Sequence, residues 1–531
     1  MSIVAAACGG SSSDTAETAG TVDANVKDEV AKQLGSDTSE GTGTTEEAGG
    51  GSGGSTAGTK HPATLEAWEA LWEKQRAAVV ERIKSEGWGS DGKTVTGPEG
   101  FTIDLSGCPS DWSETEGLSD TEIKIGHTTA LSGTLADYGN IAKALEIVFR
   151  YYNDKGFFED SEGKTRKINL IVKDDGYDST RTIPLVDELI DSEKVFAMWT
   201  LGSPNTMKTY DKLNERCIPQ PLSMTGHPAW GDPENHPWTT GLQLNYFTEA
   251  ILWGAFIEER IDELTAGDGK ATIAGLVMNN DFGKAYDAGM KAFLAQSSMK
   301  DRIEFVSETI EPSAPTIKDP MTTLAAKNPE MFIAMTAGTS CTQAITEAAE
   351  NGLKETALYV FMPSVCKSAS FVGKDKVGGD GSAANDWWVI GGGAKDYNSP
   401  KYDDGSDAWI KFTRDLLAKD GIDFHTSGSF GSGMIFNWAM IQALKIAGEL
   451  DGGLTRSNFI VALRTLDMTH PTYLEGIGFN MNGNADAYFV EGSDVAQYDA
   501  AQQQWIQQGG IIELSGKSAN CVWDQAVGNC T

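Results

Sequence analysis

The chain has 531 residues, of which 40% are hydrophobic, so it holds enough apolar material for two or three separate cores. Its 76 acidic residues outnumber its 42 basic residues, and the resulting net charge of −34 argues against nucleic acid as a partner, because such a surface repels phosphate. The longest apolar candidate for a membrane span, 434–447, is interrupted by Asn437, Gln442 and Lys445, so we expect no spanning helix.

The first eight residues resemble the end of a bacterial lipoprotein signal. Small residues precede Cys8, and Gly9, Gly10 and three serines follow it, although the charged start and the apolar stretch of a signal peptide are missing. We expect Cys8 to be lipidated, so that the membrane is reached by a lipid anchor only. Residues 9–60 are dominated by Gly, Ser, Thr, Ala and acidic residues, a composition that predicts a disordered tether.

A helical extension is predicted at 61–120. Apolar residues recur at helical spacing between 62 and 87, among them Leu65, Trp68, Trp72 and Ile83. This spacing predicts one amphipathic helix that packs on the main body of the protein.

From Glu122 onward, short apolar strands alternate with amphipathic helices. We predict strands at 123–127, 168–173, 195–200, 218–222, 272–278, 303–306, 331–334 and 359–362. We predict helices at 141–152, 183–190, 206–214, 284–296 and 342–350. This order is typical of doubly wound parallel α/β sheets, and the number of strands is large enough for two of them. In such sheets, ligands bind at the carboxyl ends of the strands.

Six cysteines follow Cys8, and an even number fits three disulfides in an oxidising compartment. Cys521 and Cys530 can close a short loop near the C-terminus. Cys341 and Cys366 each follow a predicted strand in adjacent units of the chain and form the second expected pair. Cys108 and Cys217 are left as the third pair, with free buried thiols as the alternative for some of the six.

Four stretches together carry a family resemblance: 123–156, 168–190, 195–206 and 275–294. In this order and spacing they resemble the branched-chain amino-acid class of type I solute receptors, over about 122–510. The resemblance implies two parallel-sheet lobes joined by a three-strand hinge that closes on a ligand. It also implies an extracytoplasmic receptor that delivers a small-molecule ligand to the permease subunits of an ABC transporter.

The predicted boundaries follow from this resemblance. We expect lobe 1 at 121–242 plus 395–475 and lobe 2 at 245–389 plus 478–510. Residues 511–531 are expected to form a C-terminal tail with a disulfide.

The first-lobe binding residues are predicted around a helix start. Ser203 and Pro204 follow a strand, and a Ser N-cap with Pro at the next position would leave backbone N–H groups facing the cleft. By resemblance, Ser203 would bind an acid group of the ligand, with help from Ser223 and Thr225. A purely structural cap is the alternative role for Ser203.

Further contacts are predicted on both sides of the cleft. Tyr138 and Trp199 are expected as walls of the first lobe, although Trp199 fits a core position equally well. From the second lobe we expect contacts by Asp281, Phe282, Gly338 and Thr339.

Ser364 is another expected contact of the second lobe, and here the sequence departs from the receptor family. Amino-acid receptors of this class place a carboxylate after a Gly-Pro pair to neutralise the ligand ammonium, whereas this chain has Met362, Pro363 and Ser364. Asp281 could supply the missing charge, because an unpaired buried ammonium is costly. Otherwise the ligand is a carboxylate or an amide without an amine.

Catalytic and metal-binding motifs are absent from the sequence. It has no GxSxG nucleophile elbow and no HExxH motif, and its six histidines have no ligand spacing. We therefore expect no enzyme, no cofactor and no metal site. A ligand-sensing domain that signals to a membrane partner is the alternative to a transport receptor.

Overall fold

The computed structural model describes residues 56–267 and 269–530. The predicted lipid-anchor residue Cys8 and the tether up to residue 55 lie outside these ranges. Among the helices that are described, none combines the length and the apolar character needed to cross a bilayer.

The N-terminal extension begins with helix α1, Leu65–Glu86, and ends in a small antiparallel sheet. The Thr64 side chain caps the start of α1, and Gly87 ends it in the left-handed conformation. Three short strands follow, β1 Gly89–Ser90, β2 Thr94–Thr96 and β3 Thr102–Asp104. Trp68 and Trp72 of α1 are buried in the same core as the first lobe, so the extension is part of that lobe.

The first lobe is built on strand β4, which pairs in parallel with β6 on one side and β7 on the other. Strands β8 and β9 pair in parallel, and β8 adjoins β7 where the Met198 N–H donates to the Pro219 carbonyl. The strands are β4 Glu122–Thr129, β5 Phe158–Glu159, β6 Thr165–Asp174, β7 Ala197–Thr200, β8 Gln220–Ser223 and β9 Thr239–Gly241. The first strand of the lobe therefore lies inside the sheet, as in a doubly wound fold.

Four helices connect the strands of the first lobe. They are α2 Gly139–Asp154, α3 Ser179–Asp187, α4 Ser203–Met207 and α5 Tyr210–Glu215. The single helix predicted at 206–214 is wrong, because the chain breaks between α4 and α5. The Thr209 hydroxyl donates to the carbonyls of Asn205 and Thr206 at this break, the side-chain-to-backbone bonding that bends helices.

The second lobe contains a seven-stranded sheet of order β11-β10-β12-β13-β14-β15-β16. The first five strands are parallel, and β15 and β16 are antiparallel to their neighbours. The strands are β10 Ala271–Met278, β11 Ile303–Ile310, β12 Met331–Met335, β13 Tyr359–Met362, β14 Trp388–Ile390, β15 Val495–Asp499 and β16 Gln504–Gln507. The helices are α6 Tyr246–Glu259, α7 Ile261–Leu264, α8 Asp281–Gln296, α9 Lys318–Ala325, α10 Thr339–Glu350, α11 Leu353–Thr356, α12 Ala369–Val372 and α13 Lys374–Val377. The two-lobed α/β fold predicted from the sequence is confirmed.

The chain returns to the first lobe with three helices that the sequence analysis did not predict. They are α14 Ala408–Lys419, α15 Ser429–Glu449 and α16 Arg456–Thr465. Helix α15 is buried on most of its faces, so it lacks the one-sided apolar pattern that marks a surface helix.

The chain crosses between the lobes three times. The first two crossings lie near 242–245 and 391–394, where the chain leaves one core and enters the other. The third lies near 491–494, later than the expected change between 475 and 478. Phe479, Met481 and Phe489 are buried in the first-lobe core, and this apolar packing keeps 478–490 on the first lobe.

Three disulfides join the cysteines in the predicted pairs. Cys108–Cys217 ties the N-terminal extension to the first lobe, and Cys341–Cys366 ties α10 to the turn after β13. Cys521–Cys530 closes the C-terminal loop, which contains β17 Trp523–Asp524 and β18 Asn529–Cys530.

Candidate functional site

A cavity of about 150 Å³ lies between the two lobes. Part of its wall comes from the loops that follow the carboxyl ends of strands in both sheets, where doubly wound folds bind ligands. The lining residues that show this are Tyr138, Tyr177, Gly202 and Met224 of the first lobe and Phe282, Ala337 and Ser364 of the second. The rest of the wall comes mainly from the crossing segment at 391–398 and from the start of α15 with the residue before it.

Tyr177 is held in a strained position on the first-lobe wall. Its φ is 62°, a left-handed conformation that is rare for a bulky residue. Its ring covers Gly202, where a Cβ atom would lie 2.3 Å from the ring, so a glycine is required there. The Tyr177 N–H donates to Asp175 Oδ1 at 2.8 Å, which fixes the turn.

Asp175 joins three elements behind this wall. Besides the Tyr177 N–H, it accepts hydrogen bonds from the Thr182 hydroxyl of α3 at 2.9 Å and from the Asn205 amide of α4 at 3.2 Å. Its side chain is 0% exposed, and burial raises its pKa despite these donors. The carboxylate therefore positions the turn, α3 and α4 together.

Tyrosines from both lobes meet at the cavity. Tyr138 precedes α2, and the Gly338 N–H of the second lobe faces its hydroxyl. Tyr246 opens α6 and accepts a hydrogen bond from the Gln243 amide at 3.1 Å. Burial raises the pKa of Tyr138, Tyr177 and Tyr246, so all three hydroxyls are uncharged near neutral pH.

Glu249 supports the second-lobe wall from behind. Its carboxylate accepts the Ser364 N–H and the Ser364 hydroxyl, both at 2.7 Å, and the Tyr286 hydroxyl at 2.8 Å. The side chain is 0% exposed, and burial raises the pKa of Glu249 to about 7. A carboxylate therefore does reach Ser364, but it comes from helix α6 and not from the chain position where the family resemblance places it.

The structure differs from the prediction that Ser203 caps a helix and faces the cleft as an anion site. Gly202, not Ser203, is the N-cap of α4, and the Ser203 hydroxyl pairs with the Thr225 hydroxyl at 2.6 Å. Ser203, Ser223 and Thr225 are all buried and do not line the cavity. The Tyr177 ring lies over Gly202 and covers the start of this short helix.

Four other predicted contacts do not line the cavity. Trp199 lies in the first-lobe core, where its indole N–H donates to the Pro221 carbonyl and its ring stacks on Phe149, so it does not form a wall. Gly338 packs against Leu135 of the first lobe, and Thr339 is exposed. Asp281 begins α8 near Tyr177 without lining the cavity.

Sequence reasoning missed Tyr177, Tyr246 and Glu249. Tyr177 belongs to an acidic turn, and nothing in its neighbours indicates a left-handed backbone. Tyr246 and Glu249 belong to a helix whose buried positions surround it on nearly every side, so their orientation could not be predicted from periodicity.

A family profile described as periplasmic binding protein matches residues 122–503. No curated protein matches the sequence. The profile begins after the N-terminal extension and ends before the C-terminal loop.

Solved structures share the fold at low identity. A fatty acid ABC transporter substrate-binding protein from Thermomonospora curvata is 16% identical, with a TM-score of 0.59 over 76% of this chain and 95% of that one. A branched-chain amino-acid ABC transporter protein from Thermus thermophilus with bound valine is 15% identical, with a TM-score of 0.60 over 75% and 98%. A solute-binding protein from Rhodopseudomonas palustris BisB5 in complex with 3,4-dihydroxybenzoic acid is 17% identical, with a TM-score of 0.55 over 74% and 97%.

Proposed function

The chain belongs to the periplasmic binding protein family, and from this premise we propose that it captures a small organic molecule in the interlobe cavity and delivers it to an ABC transporter permease. The observation that carries the proposal is the cavity itself. It is lined by residues of both lobes, so a ligand there would contact both and favour their closure.

Three lines of support place the receptor outside the cytoplasm. The family is extracytoplasmic, three disulfides require an oxidising compartment, and the acidic surface suits a soluble exported domain. A lipid on Cys8 would hold the receptor at the membrane beside its permease. Mass spectrometry of the purified native protein tests for this lipid.

The ligand contacts that we propose are those that both line the cavity and were predicted from the sequence. They are Tyr138, Phe282 and Ser364. Tyr177 and Tyr246 join them, because each presents an aromatic ring to the same space.

A thermal-shift screen against amino acids, short carboxylates, amides and amines tests the proposed function. A ligand at a hundredfold excess over its Kd stabilises the folded state by about 2.7 kcal/mol, so binders raise the melting temperature. The filled-cavity variant Ala337→Phe should lose about a hundredfold in affinity for any binder, because Ala337 lines the cavity.

Ala418→Phe is the matched control, since Ala418 is exposed on α14. Unchanged affinity in both variants would place the ligand elsewhere. We also propose that the ligand is released unchanged, and its mass before and after incubation should be the same.

A further inference from the structure

Among the described residues, two basic side chains line the cavity, and each already forms an ion pair with an aspartate. Lys367 Nζ lies 2.6 Å from Asp494 Oδ2, and Lys395 Nζ lies 2.6 Å from Asp407 Oδ2. The two lysine side chains are 6% and 7% exposed. A ligand carboxylate would have to compete with a carboxylate that already holds each lysine.

The acidic residues around the cavity are less well matched. Asp396 lines the cavity and is buried, yet no ion pair to it occurs within the described residues, and its Oδ2 has no hydrogen-bond partner there. The Asn398 N–H donates to its other oxygen at 3.1 Å. Burial raises the pKa of Asp396 to about 6, and this effect is only partly offset by the backbone N–H groups of Asn398 and Ala369 and by the charges of Lys367 and Arg414.

Two more carboxylates lie near residues that line the cavity, although they do not line it themselves. Asp137 accepts hydrogen bonds from the hydroxyls of Ser427 and Ser429, at 2.7 and 2.9 Å. Asp281 lies close enough to Tyr177 to raise its pKa. Neither carboxylate forms an ion pair with a residue that the structure describes, so the surroundings of the cavity are net negative.

Aromatic rings form much of the remaining wall. Tyr177, Tyr246, Phe282, Phe371 and Tyr397 all line the cavity. The face of an aromatic ring carries negative partial charge and attracts ammonium groups when water is excluded. Uncharged phenol hydroxyls can also accept a hydrogen bond from an ammonium.

We propose that the polar group recognised in this cavity is a cationic nitrogen, so that the ligand is a small organic cation and not a simple carboxylate. This inference rests on the proposed receptor function. Asp396 supplies the charge that is unpaired in the protein, and the aromatic rings surround the cation.

The test compares four probes that share one ring and differ in the attached group: benzyltrimethylammonium, benzylamine, benzyl alcohol and benzoate. A single ring suits the cavity, because an engineered cavity of about 150 Å³ accepts benzene. Calorimetric titration should give Kd values for the two cations at least about tenfold lower than that for benzoate. A lower Kd for benzoate than for both cations would overturn the inference and leave the receptor function standing. Failure of every probe and of every compound in the broader screen would overturn both.

Two variants locate the recognition of the cation. Asp396→Asn should raise the Kd of both cations about tenfold and change the Kd of benzyl alcohol by less than about twofold, because only the charge is removed. Phe371→Leu should raise the Kd of the cations more than that of benzyl alcohol, because the variant lacks one aromatic ring face.

The matched control is Asp301→Asn, an exposed aspartate of the second lobe that should leave all four affinities unchanged. Urea unfolding of each variant shows whether it folds. Equal losses for cations and alcohol in a folded Asp396→Asn variant would contradict the role of Asp396.

Discussion

Each lobe fixes its side of the cavity with one buried carboxylate, and the two carboxylates are used differently. Asp175 and Glu249 are both 0% exposed, and each accepts three hydrogen bonds without an ion pair among the described residues. Asp175 joins three elements and holds a strained turn. Glu249 takes two of its three hydrogen bonds from Ser364 alone. The first-lobe carboxylate therefore holds a strained turn against two helices, whereas the second-lobe carboxylate holds the Ser364 turn against α6 and α8 and has a pKa of about 7.

The largest effect is expected when Asp175 is removed. Asp175→Ala leaves the Tyr177 N–H, the Thr182 hydroxyl and the Asn205 amide without their acceptor. An unsatisfied buried donor costs about 1–3 kcal/mol, so we expect the free energy of unfolding to fall by about 3 kcal/mol or more in urea titrations. Asp175→Asn retains an acceptor oxygen and should lose less. A loss below about 1 kcal/mol in Asp175→Ala would show that Asp175 does not join the three elements.

The second effect concerns the strained wall itself. Gly202→Ala would place a Cβ atom 2.3 Å from the Tyr177 ring at a φ of 90°. Gly92→Ala is the control, because Gly92 has a similar φ of 84° and a Cβ atom there would meet nothing within 4 Å. The control carries only the conformational cost of about 1 kcal/mol. Gly202→Ala should lose about 1 kcal/mol more and should also bind ligand less tightly. Equal losses in the two variants would mean that the ring does not constrain Gly202.

Glu249 gives the second lobe a dependence on pH. Its pKa in the folded protein is about 7, above the ordinary value of 4.5. The stability that this group contributes is therefore complete below pH 4.5 and is lost as pH rises through about 7. Glu249→Gln removes the titrating group, so this pH dependence should be absent from the variant. Between about pH 5 and pH 8, the free energy of unfolding of the wild type should therefore fall by about 1–3 kcal/mol relative to that of the variant. Parallel pH profiles in urea unfolding would argue against a raised pKa.

The smallest effect on stability is expected at the Tyr177 hydroxyl. Tyr177→Phe keeps the ring over Gly202, so the free energy of unfolding should change by less than about 0.5 kcal/mol. Tyr177 lines the cavity, and the loss of a hydrogen bond from its hydroxyl to the ligand should cost about 1 kcal/mol, or roughly fivefold in Kd. Titration of a binder from the screen measures the change. An unchanged Kd would mean that Tyr177 contributes to ligand binding through its ring and not through its hydroxyl.

The two walls also differ in how far the sequence predicts them. The strands and most connecting helices were predicted, because alternating apolar strands and amphipathic helices follow directly from burial on one face. Tyr138, Phe282 and Ser364 were predicted from the family resemblance and from their positions after predicted strands, and all three line the cavity. Ser203 was misplaced by one position, since the residue that caps α4 is a glycine, which is required there because a ring from another loop covers it. Glu249 acts through contacts with Ser364 and Tyr286, and Asp175 partly through its contact with Asn205. These contacts join segments that are distant in the chain, which local pattern cannot supply.

The most direct test of ligand binding between the lobes measures the distance from one lobe to the other. Spin labels on Lys143→Cys of α2 and Glu355→Cys of α11, both exposed, report this distance by pulsed electron resonance. We expect a saturating binder from the screen to shift the distance distribution toward shorter values, and we expect Ala337→Phe to abolish the shift. A distribution that stays unchanged while the same compound raises the melting temperature would contradict ligand binding between the lobes.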